Sequence, residues 1–132
     1  MVRLIVPNQE GRVLLLQRSG TSHSPGEWCL PGGKVEYGQT MEEAVSEELR
    51  EETGLLCIRS GFLFCQDSLP LEGGGMHCIN LYFECAAAGH PVPTEEAIQF
   101  AWIGPQELGN YRIAFRNDAG LLRYWREKVR DR

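Results

Sequence analysis

The first thirty or so residues alternate between short apolar runs and polar, turn-forming segments. Residues 2–6 and 13–16 are the apolar runs, and segment 7–11 between them contains the proline, asparagine and glycine that favour a turn. Residues 19–27 form a polar loop rich in structure-breaking residues, and residues 28–33 predict a brief strand that enters a sharp bend. We therefore expect a hairpin, a loop and then a short strand ending at a glycine bend.

The most clearly marked element is a helix predicted over residues 41–53. Thr40, followed three residues later by Glu43, matches a capping box at the amino end. Gly54 suits the left-handed conformation that commonly follows the last turn of a helix. Both ends of this helix are therefore defined by residues that satisfy its free backbone groups.

The side of this helix that should be buried carries carboxylates. Its apolar stripe begins in the first two turns, with Met41, Ala44 and Val45. The stripe continues through positions 48, 49 and 52, and two of these three positions are glutamate. At 100° per residue, Glu48 and Glu52 lie within about 20° of the centre of the stripe, and Glu51 lies on its edge.

A solvated acidic face is the ordinary explanation of a glutamate-rich helix, and it accounts for Glu42, Glu43 and Glu47. It does not account for carboxylates facing the protein, because burying one unpaired is costly and neighbouring like charges add about 0.2–0.5 kcal/mol per pair. A cation is therefore expected there. An all-oxygen cluster without histidine or cysteine suits Mg²⁺ or Mn²⁺ rather than zinc. Gly32 and Gly33, just upstream, let the main chain approach a ligand closely.

The second half of the chain predicts further strands and a closing helix. Residues 77–85 alternate between two sides and predict a half-buried strand, and residues 61–69 and 98–103 are shorter strand candidates. The closing helix is predicted over residues 119–128. Its apolar side carries Leu121, Leu122 and Trp125. Because no linker divides the chain, we expect a single domain over residues 1–132.

The composition narrows the range of partners and compartments. Thirteen Lys and Arg against eighteen Asp and Glu give a net charge of −5, which leaves no broad basic surface for a polymeric nucleic acid. Five scattered cysteines without a C-x-x-C pair argue against a disulfide framework and a zinc site. No run approaches the roughly 18 apolar residues of a membrane span, and no signal peptide is evident. We expect a cytoplasmic protein without a membrane partner.

Residues 33–55 resemble the Nudix box, G-x5-E-x7-R-E-U-x-E-E-x-G-U, in which U is a bulky aliphatic residue. The matching positions are Gly33, Glu48, Leu49, Glu51, Glu52, Gly54 and Leu55. Residues 28–32 are similar to the usual lead-in of the motif. The resemblance implies an α/β fold, the Nudix-type α/β/α sandwich with a central mixed β-sheet and the Nudix-box helix.

The resemblance also implies a reaction and a set of roles. By resemblance, Glu48, Glu51 and Glu52 are the catalytic residues and bind Mg²⁺, with Mn²⁺ as an alternative, and Gly33 is a further metal contact. The backbone of Gly32 and Gly33 is also expected to contact substrate phosphates. The expected reaction is Mg²⁺-dependent hydrolysis of the diphosphate linkage in a nucleoside diphosphate or triphosphate derivative, a small-molecule partner. Dimers are common among relatives, so a homodimer is a further expectation.

Two positions depart from the motif, since Gln39 stands where the box has glutamate and Glu47 where it has arginine. In the family the arginine is thought to orient the adjacent glutamates, so Glu47 removes a counter-charge. A second hypothesis is therefore a catalytically weak or inactive Nudix-like domain that binds nucleotides or has a regulatory role. A third, isomerisation of a prenyl diphosphate, is disfavoured because the sequence offers no convincing pairing of a cysteine with an acid.

Three features outside the box have two interpretations each. In the family a further acid comes from a later loop, for which Glu95 or Glu96 is the candidate here; an exposed pair before a strand explains them equally well. Arg18 follows a strand and could contact a substrate phosphate, or it is an exposed strand-end arginine. Asn117 and Asp118 occupy the position at which MutT-like members recognise a purine, although helix capping is the simpler explanation.

The remaining polar features carry less information. The three histidines, His23, His77 and His90, have no ligand-like spacing and are interpreted as surface or strand residues. Substrate specificity is expected to depend on loops outside the box, over residues 19–27 and 70–76.

Overall fold

The structure is a computed structural model, and it describes residues 1–20, 24–70 and 77–130 of the chain. In chain order the elements are β1 (Val2–Ile5), β2 (Val13–Arg18), β3 (Trp28–Cys29), β4 (Gly32–Gly33), α1 (Met41–Thr53), β5 (Leu56–Ser68), β6 (Cys78–Ala88), β7 (Ala97–Ile103), a 3₁₀ helix (Pro105–Asn110) and α2 (Asn117–Arg130). No helix in these ranges is long and apolar enough to cross a membrane. All five cysteines are free thiols, as their spacing predicts.

The strands form two sheets, one of which is mixed. A four-stranded sheet has the order β4-β1-β6-β5, with β1 parallel to β6 and the other pairs antiparallel. A three-stranded antiparallel sheet has the order β3-β2-β7. The predicted mixed sheet is therefore confirmed.

The helices cover opposite faces of the four-stranded sheet. Successive residues of a strand point to opposite faces. On one face of β1, Leu4 packs in a cluster with Val45 and Leu49 of α1. On the other face, Ile5 packs in a cluster with Leu121 and Tyr124 of α2. This arrangement confirms the expected α/β/α sandwich.

The first two strands do not form the expected hairpin. Their antiparallel contact is confined to the turn, where Pro7 bridges to Val13 and the Leu14 amide donates to the Val6 carbonyl at 3.1 Å. Beyond the turn, β1 and β2 join different sheets. The physical reason is burial, because Val2 to Ile5 and Val13 to Leu16 are buried on both sides, and a two-stranded hairpin cannot cover two faces.

The local sequence pattern predicted helix α1 more accurately than helix α2. Helix α1 has the predicted bounds, the capping box at Thr40 and a left-handed Gly54 with φ of 77°. Helix α2 is longer than predicted, and Leu122 is 52% exposed, so placing it on the apolar side was wrong. Tyr124 is buried in its place, since the helix turns residues 121 and 124 toward the sheet.

The strand predictions differ mainly in length and burial. Strand β5 begins at Leu56, five residues earlier than predicted, because exposed apolar residues such as Ile58 obscure the alternation. The middle of β6 is buried on both faces, at Tyr82 and Phe83, so "half-buried" was wrong for it. The helices on opposite faces of the sheet explain this burial.

Candidate active site

Glu52 is the most deeply placed of the predicted carboxylates. It is 4% exposed, and its Oε1 accepts a hydrogen bond from the Gly32 amide at 2.8 Å. Its carbonyl oxygen also accepts a hydrogen bond from the Thr94 hydroxyl at 3.3 Å, which ties the end of α1 to the segment before β7. Burial is the main cause that raises the pKa of Glu52 to about 8, and the Gly32 hydrogen bond opposes it.

Glu48 lies one turn earlier and is half-buried beside the second glycine. A Cβ atom on Gly33 would lie 2.5 Å from Oε2 of Glu48, so this carboxylate occupies space that any other residue at position 33 would fill. Burial, followed by the charge of Glu51, raises the pKa of Glu48 to about 7. Gly33 is therefore needed because the Glu48 carboxylate packs against it.

Glu51, which the helical pattern placed on the edge of the buried stripe, points toward solvent. Its side chain is 48% exposed, and it lies 3.8 Å from the Arg50 guanidinium. A hydrogen bond with Glu47 is the main cause that raises the pKa of Glu51. The buried stripe runs through Val45, Leu49 and Glu52, which leaves Glu51 on the solvent side of its edge.

The two positions that depart from the Nudix box contact each other. Gln39 donates from Nε2 to Oε2 of Glu47 at 2.8 Å, and its Oε1 accepts from the Glu36 amide at 2.9 Å. The turn before α1 is thereby joined to the face of the helix that carries Glu51. Sequence reasoning treated Gln39 and Glu47 as separate losses, whereas the fold makes them a pair.

Of the two later acids, Glu96 is the one near the cluster. Its charge contributes to the raised pKa values of Glu48, Glu51 and Glu52, whereas Glu95 does not appear among the causes. Both side chains are exposed. The neighbouring Thr94 was missed, because its link to Glu52 spans 42 residues and leaves no local pattern.

Arg18 lies at the end of β2 and is only half exposed. Its Nη1 lies 3.6 Å from the Cys29 sulfur, and its guanidinium lies 4.7 Å from the centre of the Phe115 ring. Describing it as an exposed strand-end residue was therefore wrong. Its side chain packs against Cys29 and Phe115.

Asn117 and the histidines complete the set of sequence-based candidates. Asn117 is fully buried, and its Oδ1 accepts from the Leu30 amide at 2.9 Å, so its oxygen joins α2 to the lead-in segment and does not cap its own helix. His77 and His90 are exposed. His23 lies outside the described residues, as do residues 21–22 and 71–76 of the two expected specificity loops.

The oxygen donors of these carboxylates suit a hard cation, although the side chains are not arranged as a complete set of metal ligands. Over residues 1–20, 24–70 and 77–130, no three His, Cys, Asp or Glu side chains lie close enough together to hold a metal ion. Two partly or fully buried carboxylates with raised pKa values would nevertheless be stabilised by a divalent cation, and all their donors are oxygen. To share such an ion, Glu51 has to turn away from Arg50.

A family model of the NUDIX domain matches residues 1–124, so the chain belongs to the Nudix family. It is a Nudix hydrolase, an enzyme that acts on phosphoric anhydrides.

Several individual proteins are similar to this chain in sequence or in structure. The chain is 35% identical over 98 residues to the nucleoside triphosphatase NudI of Escherichia fergusonii, which covers 67% of this chain and 70% of that protein. The MutT protein from Methanosarcina mazei Go1 has a similar structure, with a TM-score of 0.81 and 28% identity, over 96% of this chain and 92% of that one. The NUDIX domain of Shewanella oneidensis NrtR, solved with ADP ribose, has a TM-score of 0.73 at 19% identity and shows a similar fold.

Proposed function

We propose that this Nudix hydrolase is a Mg²⁺-dependent pyrophosphohydrolase of a nucleoside diphosphate or triphosphate derivative. The observation that supports this most is the placement of Glu52 and Glu48 against Gly32 and Gly33. Acidic side chains held beside an accessible glycine backbone suit a cation and the phosphates it binds. The similarity to a nucleoside triphosphatase supports the choice of a nucleotide substrate.

The proposed roles follow from position. Glu48, Glu51 and Glu52 would hold the cation together with the backbone of Gly33, and one of the three carboxylates accepts the proton of the attacking water. When bound, Mg²⁺ or Mn²⁺ supplies charge neutralisation at the phosphate oxygens and lowers the pKa of water. The protein contributes mainly positioning, which phosphoryl transfer requires more than covalent chemistry.

The substrate-binding roles are proposed for the surrounding groups. The Gly32 and Gly33 backbone faces the phosphates, and Arg18 is a candidate for a phosphate or for a more distal part of the substrate. Of the two later acids, Glu96 is preferred over Glu95 as an additional carboxylate, because its charge acts on all three box glutamates.

A second candidate function is binding or regulation without efficient turnover. It is favoured by Glu47, which puts a carboxylate where the box has arginine and hydrogen bonds to Glu51. This candidate predicts that nucleotides raise the melting temperature of the protein without being cleaved.

A hydrolysis screen separates the two candidates. Nucleoside di- and triphosphates, ADP-ribose, dinucleoside polyphosphates and nucleotide sugars are incubated with Mg²⁺, with Mn²⁺ or with chelator, and phosphate and nucleotide release are measured. We expect cation-dependent release from a nucleoside polyphosphate. Glu52→Gln and Glu51→Gln should lower it, whereas Glu42→Gln, on the exposed first turn of the same helix, should not. Activity that both substitutions leave unchanged would contradict the assignment.

A further inference from the structure

Arg3 is a charged residue in the interior of the sheet, next to the candidate active site. It lies in β1, opposite Gly32 of β4 and Tyr82 of β6, and it is 1% exposed. Since neighbouring Val2 and Leu4 pack in the cluster with α1, Arg3 points to the other face of the sheet. Gly32, its strand partner, donates to the Glu52 carboxylate, and the charge of Arg3 acts on that carboxylate as well.

The guanidinium of Arg3 is only partly satisfied by the protein. Its Nε donates to Oδ1 of Asn80 at 3.2 Å, and the guanidinium lies 4.6 Å from the centre of the Phe115 ring. Within the described ranges it forms no ion pair with a carboxylate, and its Nη2 is buried without a hydrogen-bond partner. Burial lowers the pKa of Arg3, as desolvation of a cation should.

A purely structural role does not explain this arrangement. Burying a cation is costly, and apolar residues of similar volume are often as stable or more stable at such positions. A buried donor without a hydrogen-bond partner adds a further penalty. A donor kept at such a cost beside an active site is expected to have a partner that arrives with the ligand.

The residues around the Arg3 guanidinium favour a flat ligand over a phosphate. The guanidinium is stacked with an aromatic ring, and its Nε donates to the amide oxygen of Asn80. The amides of Asn80 and Asn117 both donate to the Phe115 carbonyl, at 3.1 and 3.3 Å. Phe115 and Arg116 have φ values of 59° and 57°, a left-handed conformation that is strained for side chains of this size. Arginine and amide groups beside an aromatic ring are a common environment for a nucleobase.

We propose that Arg3 is a specificity-determining residue whose Nη2 donates a hydrogen bond to a carbonyl oxygen on the base of the bound nucleotide. The base occupies the position that the Phe115 ring now fills, and the strained 115–116 segment moves to admit it. This inference rests on the proposed hydrolysis of nucleotides. It selects bases with a carbonyl at purine C6 or pyrimidine C4, as in guanine and uracil, over adenine and cytosine, which carry an amino group at that position.

The test compares Arg3→Met with the wild-type chain on GTP, UTP, ATP, CTP and ribose 5-triphosphate, which has no base. For the preferred nucleotide, GTP or UTP, kcat/KM should fall about tenfold to a hundredfold, mainly through KM, as expected for the loss of a hydrogen bond to a charged group. Values for ATP, CTP and ribose 5-triphosphate should change by less than about twofold. Arg126→Met is the matched control, because Arg126 is exposed on α2.

Thermal unfolding supplies a readout other than activity. Without nucleotide, Arg3→Met should be at least as stable as the wild type, because it removes a buried charge. A methylene-bridged GTP or UTP analogue with Mg²⁺ should raise the melting temperature of the wild type more than that of Arg3→Met. If Arg3→Met does not fold, Arg3→Lys replaces it, since it keeps the charge, loses the planar group and should lose most of the base preference.

The outcomes separate this inference from the proposed function. If the wild type hydrolyses nucleotides but Arg3→Met loses the same activity on every substrate, including ribose 5-triphosphate, the role of Arg3 is overturned and the proposed hydrolysis stands. The same holds if Arg3→Met loses activity on none of them. If the methylene-bridged GTP or UTP analogue stabilises the wild type more than Arg3→Met but no nucleotide is hydrolysed, the role of Arg3 is supported and the proposed hydrolysis of nucleotides is overturned. If no nucleotide is hydrolysed and none stabilises the wild type, both the role of Arg3 and the proposed function are overturned.

Discussion

The two flanks of helix α1 carry similar residues but are held in different ways. The inner flank, Glu48 and Glu52, packs against backbone, where one carboxylate accepts from the Gly32 amide and the other fills the space beside Gly33. The outer flank, Glu47 and Glu51, is exposed, and its contacts in the described part of the chain are with the side chains of Gln39 and Arg50.

This difference indicates which part of the site tolerates change. Backbone contacts at the inner flank depend on the register between β1 and β4, which a single substitution cannot re-create. Side-chain contacts at the outer flank can be exchanged in pairs. Both departures from the Nudix box, Gln39 and Glu47, lie at the outer flank and hydrogen bond to each other, as this difference leads one to expect.

The largest effect is expected from Gly32→Ala at the inner flank. Its Cβ would overlap the carbonyl oxygen of Val2, and because that atom is backbone, the strand pair has to move. We expect a loss of about 3 kcal/mol in the free energy of unfolding, measured by urea denaturation. Gly61→Ala is the control, since no atom lies within 4 Å of its added Cβ. Equal stability of the two variants would show that β4 is not held as described.

The buried carboxylate of the inner flank should make metal-free stability depend on pH. The pKa of Glu52 is about 8 in the folded protein, against an ordinary value of 4.5, so between these values the folded state binds a proton that the unfolded state lacks. Stability therefore falls as pH rises. In chelator, we expect the free energy of unfolding to drop by roughly 2–3 kcal/mol from pH 5.5 to pH 8.5.

Two variants isolate the contribution of Glu52 to this slope. Glu52→Gln should reduce it, leaving the part that the raised pKa of Glu48 contributes, and should be more stable than the wild type at pH 8.5, whereas Glu42→Gln, in the exposed first turn, should leave it unchanged. A slope that is the same in all three proteins would mean that Glu52 is not the responsible group.

Gly33→Ala should affect activity more than stability. The added Cβ would displace the Glu48 carboxylate, which lies at the end of a flexible side chain and can move without shifting the backbone. We expect kcat/KM to fall by about tenfold to a hundredfold, because misplacing a group in a preorganised site is costly for the reaction. The melting temperature should stay within a few degrees of the wild type. Full activity would exclude Glu48 from the site.

The smallest effect is expected at the outer flank, from exchange of its hydrogen-bonded pair. Gln39→Glu places a second carboxylate against Glu47 and should lower kcat/KM about two- to fivefold through like-charge repulsion. Adding Glu47→Arg should return the activity to the wild-type level or above it. A double-mutant cycle measures the coupling, expected at about 0.5–1 kcal/mol. Strictly additive effects would show that the two positions act independently.

The sequence alone determined the features that depend on local spacing. The bounds of α1 follow from Thr40, Glu43 and Gly54, because caps act within one turn of the chain. The motif over residues 33–55 likewise indicated the family, because its residues recur at fixed intervals. The mixed sheet followed from that family resemblance and was confirmed.

Only the tertiary structure decided which side chains meet. Glu52 contacts the Gly32 amide across 20 residues, Thr94 contacts Glu52 across 42, and Arg3 contacts Asn80 across 77. Helical periodicity gives the angle of a side chain about its own axis, but not what lies opposite it. For that reason the pattern could place Glu51 only on the edge of the stripe, without showing that it contacts Arg50, and it gave no sign that Arg3, in the middle of an apolar run, is buried beside Asn80.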